Sequence, residues 1–502
     1  MPAQLTTRAQ VNGYRFLLRR LDHALIRRDV RMLHDPMRAQ FRSLVVGAVL
    51  AVLVVAGAVI LSLISPQGSI GDAKIVMGKD SGALYVVVQD QNKNSTLHPV
   101  LNLASARLIM GTRDVPKSVK DNKLNSLPRG PLLGIPGAPA ALPVADHGEK
   151  SQWTLCDTVE LSASGGAVSS SGATTTVIAG ELELSDRMKE TGRDAALLVR
   201  NGAKTYLIYE GKRAEIDLQN TVIQRSLKAS NLMPRPISTG LLGVPTAVAP
   251  VSPPVIERAG EPGPGKLSDV PIGGIISVAG LDKSATAELY VVLSGGVQRV
   301  SEFTAELIRN QDSYGMSTSK SVPPDTLDGI STVDTLPVDD FPISTPKILA
   351  ADLNPVACIE WTKTAGTGLL QSDATEGASD RATVSLLAGT RLPISEKTKP
   401  VKLVTADGTG SRIDEVYLPP TTGEFVRVTG TEPGSPRRDP GLFYIMDTGI
   451  RYGVPDIDAA DVLGLGRTPH LAPWSIIGQL VPGPTLDKQA ALVGHDSLSA
   501  AN

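Results

Sequence analysis

From Ser43 to Ile64 the chain reads SLVVGAVLAVLVVAGAVILSLI, and no charged residue occurs between Arg42 and Asp72. As a helix this run rises roughly 33 Å, and the hydrocarbon core of a bilayer is about 30 Å thick. One membrane-spanning helix is therefore expected, with the segments before and after it in different compartments. Residues 1–42 hold nine arginines, no lysine and three acids, Asp22, Asp29 and Asp35, whereas 65–71 carry no charge. Basic residues beside a span stay on the cytoplasmic side, so the short N-terminus reads as inside and the long C-terminal part as outside. A cleaved secretory signal is the competing reading. It fits poorly, because the basic and apolar stretches are both long for one and no small-residue cleavage site follows.

Residues 65–502 are too many for a single hydrophobic core, so several subdomains are expected. Aromatic residues make up only 4%, while Gly and Pro number 48 and 37, a mix that suits many short strands joined by turns. A net charge of -2 gives no general attraction for nucleic acid. Cys156 and Cys358 are the two cysteines. An even count in an oxidising exterior favours a disulfide over two buried free thiols. Trp153 precedes one cysteine by three residues and Trp361 follows the other by three, which suggests a covalent link packed on large rings. A bridge this long would bring the segments near 151–190 and 345–405 together as one discontinuous β-rich domain, with everything between them an insertion. Thr174–Leu184 and Arg381–Gly389 have the β-branched texture of its strands.

Internal self-similarity is the next signal. Leu132-Leu133-Gly134-Ile135-Pro136 recurs as Leu241-Leu242-Gly243-Val244-Pro245. Hairpin-like pairs of strands begin at Leu84, Thr205, Leu289 and Leu442, and helical stretches follow, with Ser105 and Thr304 as candidate N-caps and 456–463 as the helix of the fourth copy. Two copies flank the cysteine-linked domain and two lie in the insertion, predicting a rod folded back through its middle. The Pro- and Gly-rich segment 245–271 reads as a linker.

Candidate chemistry is sparse. Gly260-Glu261-Pro262-Gly263-Pro264-Gly265-Lys266 has the spacing of a phosphate-binding loop. Pro262 and Pro264 nevertheless lack N–H donors, and Leu267 stands where a magnesium-binding Ser or Thr belongs. His23, His34, His98, His147, His470 and His495 show no ligand spacing, so no metal or cofactor is expected. The Asp339-Asp340 pair reads as solvated, no nucleophile elbow occurs, and no catalytic residue is assigned. The N-terminus is more informative: Tyr14, Leu17, Leu18, Leu21, Leu25 and Met32 recur near helical spacing among Arg15, Arg19, Arg20, Arg27, Arg28 and Arg31. This basic amphipathic helix ahead of Pro36 would either lie on anionic lipid or dock on a partner protein.

Several segments together resemble one family. They are 5–20 (LTTRAQVNGYRFLLRR), 31–36 (RMLHDP), 97–108 (LHPVLNLASARL), 128–139 (PRGPLLGIPGAP) and His495-Asp496-Ser497-Leu498. They are similar to EccB, a core component of the mycobacterial type VII (ESX) secretion machinery, over essentially the whole chain. The resemblance implies an α+β protein of the inner membrane. It would have one transmembrane helix, then an elongated periplasmic region with four hairpin-helix repeats, similar to a phage-lysin wall-binding subunit, around the β-rich centre. It implies a non-enzymatic scaffold, although the family is labelled ATPase in places. Its partners would be EccC, EccD and EccE, with self-association in the periplasm and contact with membrane lipid; the alternative roles are an enzyme, as the ATPase label has it, or a peptidoglycan anchor. Docking would run through Tyr14, Leu17, Leu18, Arg19, Arg20, Leu21, Arg27 and Arg28. The expected divisions are 1–42 (cytosolic helix), 43–64 (span), 65–150 (repeat one), 151–190 (centre), 191–250 (repeat two), 251–344 (linker and repeat three), 345–405 (centre) and 406–502 (repeat four and tail).

Overall fold

The computed structural model describes the chain outside residues 1–6, 29, 31–35, 65–69, 90–93, 145–149, 162–171, 231, 280–286, 365–381, 430–440 and 497–502. It divides into two units, one made of Met1–Asp72, Gly78–Ser81 and Ser118–Ser126, the other of the remainder.

In the first unit, helix Arg8–Arg27 opens with a capping box in which Gln10 N–H donates to the Thr7 hydroxyl and Thr7 N–H to Gln10 Oε1. Arg28, in the left-handed region at φ 54°, ends it. A second helix, Pro36–Ile64, runs for 29 residues, and its Phe41–Ile60 stretch is long and apolar enough to cross a membrane. This helix starts before the expected Ser43, with proline at its first position, where a missing N–H costs nothing. Arg31 and Met32 lie outside the described residues.

The second unit is built on a seven-stranded sheet. Its strands run, in spatial order, Val401–Lys402, Glu415–Tyr417, Ala173–Ala179, Lys150–Val159, Val356–Thr364, Thr383–Gly389 and Met188–Glu190. Lys150–Val159 and Val356–Thr364 are antiparallel, with Cys156 directly opposite Cys358 and Trp153 opposite Trp361. The cysteines are bonded, Cα to Cα 4.0 Å. The tryptophans do not pack on the bond as expected. Three residues along a strand is an odd step, so the rings face the other side of the sheet. They join Leu155, Val177 and Ile359, while the cysteines lie among Ile178, Met188, Val356 and Leu387, flanked by Leu392 and Ile394.

Two expected boundaries of the centre also move. Lys347–Ile348 pairs with Ala195–Ala196 in the second repeat, so the chain re-enters the central sheet at Val356 and not at 345. Glu415–Tyr417 pairs with Thr176–Ile178, so the sheet extends past 405.

Four copies of one unit accompany this sheet. Copies two, three and four begin with three antiparallel strands: Ala195–Asn201, Lys204–Tyr209 and Lys212–Ile216; Ile275–Val278, Glu288–Leu293 and Gly296–Val300; Gly423–Thr429, Leu442–Met446 and Ile450–Val454. Each then forms a helix, a strand parallel to the first, and a short helical turn. The last segment runs parallel to the third strand. Copy one has the strands Ile75–Gly78, Leu84–Gln89 and Ser95–Pro99 and the helix Leu103–Met110. Between Tyr209 and Lys212, both Glu210 and Gly211 take positive φ, the tight turn that matches the twist of a hairpin.

The recurring Leu-Leu-Gly motif does not mark equivalent positions. Arg213 pairs with Ala247 and Ile216 with Val251 in copy two, while Leu97 pairs with Arg129 and Val100 with Leu133 in copy one. Leu133 is thus the counterpart of Val251, and Leu241-Leu242 sits in a helical turn. The N-caps shift similarly: Asn102 and Ser301 cap, and Ser105 and Thr304 are the third residues whose N–H groups they accept.

The copies pack in pairs. Leu108 and Ala104 of copy one share a core with Leu463, Ala460 and Tyr444 of copy four, and Ile223 and Leu227 of copy two share one with Phe303 and Leu307 of copy three. Copies two and four also bury Leu241, Leu242, Ile476 and Ile477 against the tryptophan face of the central sheet. The C-terminal Gly494–His495 returns to pair with Leu132–Leu133, and His495 Nε2 lies 2.7 Å from Gly134 O.

Candidate assembly surfaces and the disulfide-linked centre

The expected docking residues all fall on helix Arg8–Arg27 or its cap. Tyr14, Leu17, Leu18 and Leu21 are 65%, 59%, 45% and 61% exposed, and Arg19, Arg20, Arg27 and Arg28 are exposed among them. Apolar side chains this open on a capped helix form a surface suited to burial against something else. His23 on the same helix is 7% exposed.

Gly260–Lys266 does not have the geometry of a phosphate loop. Its N–H groups are turned inward: Gly260 donates to Ile272 O, Glu261 to Arg258 O and Gly263 to Val270 O. A three-residue 3-10 turn, Gly265–Leu267, stands in place of the helix whose N-terminus would hold phosphate. Lys266 Nζ donates to Asp325 O at 2.6 Å. Asp340 pairs with Lys212 at 2.8 Å, and its carbonyl accepts the Tyr209 hydroxyl at 2.6 Å; burial first, then nearby acids, push that phenol well above its ordinary range. His470 Nδ1 is 3.6 Å from Glu424 Oε2. Among the described residues no three His, Cys, Asp or Glu side chains are placed to hold a metal.

Structure also brings together groups the sequence did not single out. Arg235 is 3% exposed and donates through its two Nη atoms to Asn354 O and Pro355 O, each at 2.8 Å, and burial pushes it down to about 10. Asp157, beside Cys156, is 1% exposed and accepts from Ser238 N–H and the Thr175 hydroxyl. Arg107 Nη1 caps the copy-four helix by donating to Leu463 O. Apart from Asp157–Thr175 on adjacent strands, each contact joins segments 81 or more positions apart, and no local motif announces it.

Among the described residues, one long apolar helix, a capped cationic helix and four copies of one strand-helix unit, two of them packed on a disulfide-linked sheet, describe a class of membrane-anchored, repeat-built protein. The chain belongs to the family described as Type VII secretion system ESX-1, transport TM domain B, whose model matches residues 3–500. It is similar to the ESX-3 secretion system ATPase EccB3 of Mycolicibacterium smegmatis, 38% identical over 98% of this chain and 91% of that protein. The ESX-1 secretion system ATPase EccB1 of Mycobacterium tuberculosis is 36% identical, over 100% of this chain and 97% of its own length. Among solved structures, a chain of an intact ESX-5 inner membrane complex matches with a TM-score of 0.71 and 34% identity, covering 100% of this chain and 98% of that one. The EccB3 dimer from the ESX-3 core complex matches with a TM-score of 0.68 and 34% identity, over 84% and 100%.

Proposed function

We propose that this chain is the single-pass structural subunit of an ESX type VII secretion complex in the inner membrane, with helix Arg8–Arg27 in the cytosol and the disulfide-linked body in the periplasm. The observation that carries this reading is the full-length likeness, in sequence and fold, to a chain of the ESX-5 inner membrane complex. The arginine asymmetry across the span supports the orientation. The open apolar residues between arginines on Arg8–Arg27 support docking to the neighbouring subunits, taken as EccC and EccD with EccE nearby. Copies of the chain associate with each other through the periplasmic body, as the solved dimer of a relative suggests.

Reversing Arg19, Arg20, Arg27 and Arg28 to glutamate is expected to lower co-purification of the other subunits by about tenfold or more, roughly 1.4 kcal/mol or greater. Quantitative mass spectrometry of the affinity-purified complex measures it. Unchanged recovery would remove the docking reading. The role proposed is non-enzymatic. Lys266→Ala should therefore leave any ATP turnover of the purified complex unchanged, and turnover that vanished with this lysine would make the chain an ATPase.

A further inference from the structure

Asp157 lies on strand Lys150–Val159 in the seam where copy two meets the central sheet, with 1% of its surface exposed. Its Oδ2 accepts Ser238 N–H at 2.6 Å and its Oδ1 the Thr175 hydroxyl at 3.0 Å. Ser238 in turn caps the copy-two turn Thr239–Leu242 by accepting Leu241 N–H. One carboxylate thus ties a central strand, its neighbour and the start of that turn.

The surrounding charges do little to compensate it. On the copy-two side stands Arg235, whose Nη atoms are committed to the carbonyls of Asn354 and Pro355. Beyond Thr175 lies Asp414, 2% exposed, accepting the N–H groups of Thr175, Asp407 and Gly408. Asp407 is turned onto Thr409. The facing strand presents Ala357, which has no charge. Shutting the seam therefore strips a carboxylate of water and returns only the hydrogen bonds of Ser238 and Thr175 and an attraction to a guanidinium already in use.

We infer that the seam between copy two and the central sheet is a proton-operated clasp, which neutral Asp157 holds shut and ionised Asp157 biases toward local opening at Ser238. Burial raises Asp157 from 3.8 to about 6, against the lowering effect of Ser238, Thr175 and Arg235. The shut seam accordingly binds more protons than the open one, so closure strengthens as pH falls through about 6 and gains nothing further below about 4. The distance between those two pH values caps the effect at about a hundredfold in the opening constant.

Hydrogen exchange of the full chain in detergent micelles, followed by mass spectrometry on peptides covering 235–242 and corrected for intrinsic rates, tests this. The opening constant is expected to be about tenfold or more smaller near pH 5 than near pH 7.5. Asp157→Asn keeps an acceptor for Ser238 but cannot titrate, so its opening should not vary with pH. Thr175→Val removes a hydrogen bond that favours the ionised form and should move the midpoint upward, which decides the matter even where Asp157→Asn fails to fold. Equal opening at both pH values, the wild-type dependence surviving in Asp157→Asn, or an unmoved midpoint in Thr175→Val would each overturn the clasp.

Discussion

Trp361→Ala should destabilise the disulfide-linked body by about 3–5 kcal/mol, because it removes a large buried ring and leaves a cavity the surroundings fill only in part. Trp361 is 1% exposed and lies opposite Trp153 on the face where copies two and four both pack. A loss of that size is a large share of the stability of a typical domain. Trp474→Ala is the control. Trp474 is 46% exposed, with Arg451 4.9 Å above its ring and Phe443 5.8 Å away. Its removal should cost only about 1 kcal/mol. Guanidinium unfolding of the purified chain, read by circular dichroism, separates the two, and equal costs would show that the tryptophan face is not the shared core.

Replacing both cysteines by serine should lower stability by about 5 kcal/mol in the loop-entropy model, since 202 residues separate Cys156 from Cys358. The native sheet should survive. Nine residue pairs already align the two strands, so the bond acts mainly on the unfolded chain. The measurement is the denaturation midpoint of the double variant against the oxidised protein. Coincident midpoints, or labelling of both thiols in the native protein, would refute the structural role of the bridge.

Much of the local structure was legible because short-range signals carried it. Recurring strand-turn-strand patterns marked the pairs beginning at 84, 205, 289 and 442, and a long uncharged run marked the span. Strands such as Arg235–Pro236 and Val481–Pro482 span only two residues and so hold too little pattern to read. The first strand of each copy was likewise missed as part of the unit. The Leu-Leu-Gly match failed for a related reason. Turn chemistry recurs wherever a chain must stop and bend, and only ladder pairing shows that Leu133 corresponds to Val251.

Helix Arg8–Arg27 shows both sides of this. Its apolar stripe and arginines could be read from spacing, whereas its end at Arg27 and the capping box at Thr7 emerge from backbone geometry. The rejection of Gly260–Lys266 as a phosphate loop needed only its two prolines, and the inward-turned N–H groups supply the positive reason.

Amino-acid order alone was enough for the long apolar helix, the family and the existence of a cysteine pair, because hydropathy and composition act along the chain without regard to distant partners. Which face of the sheet the tryptophans occupy, where the central sheet ends and how Asp157 meets Ser238 emerged only on folding. Those facts rest on strand register and on contacts between residues 81 or more positions apart. Long-range pairing is settled by packing the whole chain at once, and no local window contains it.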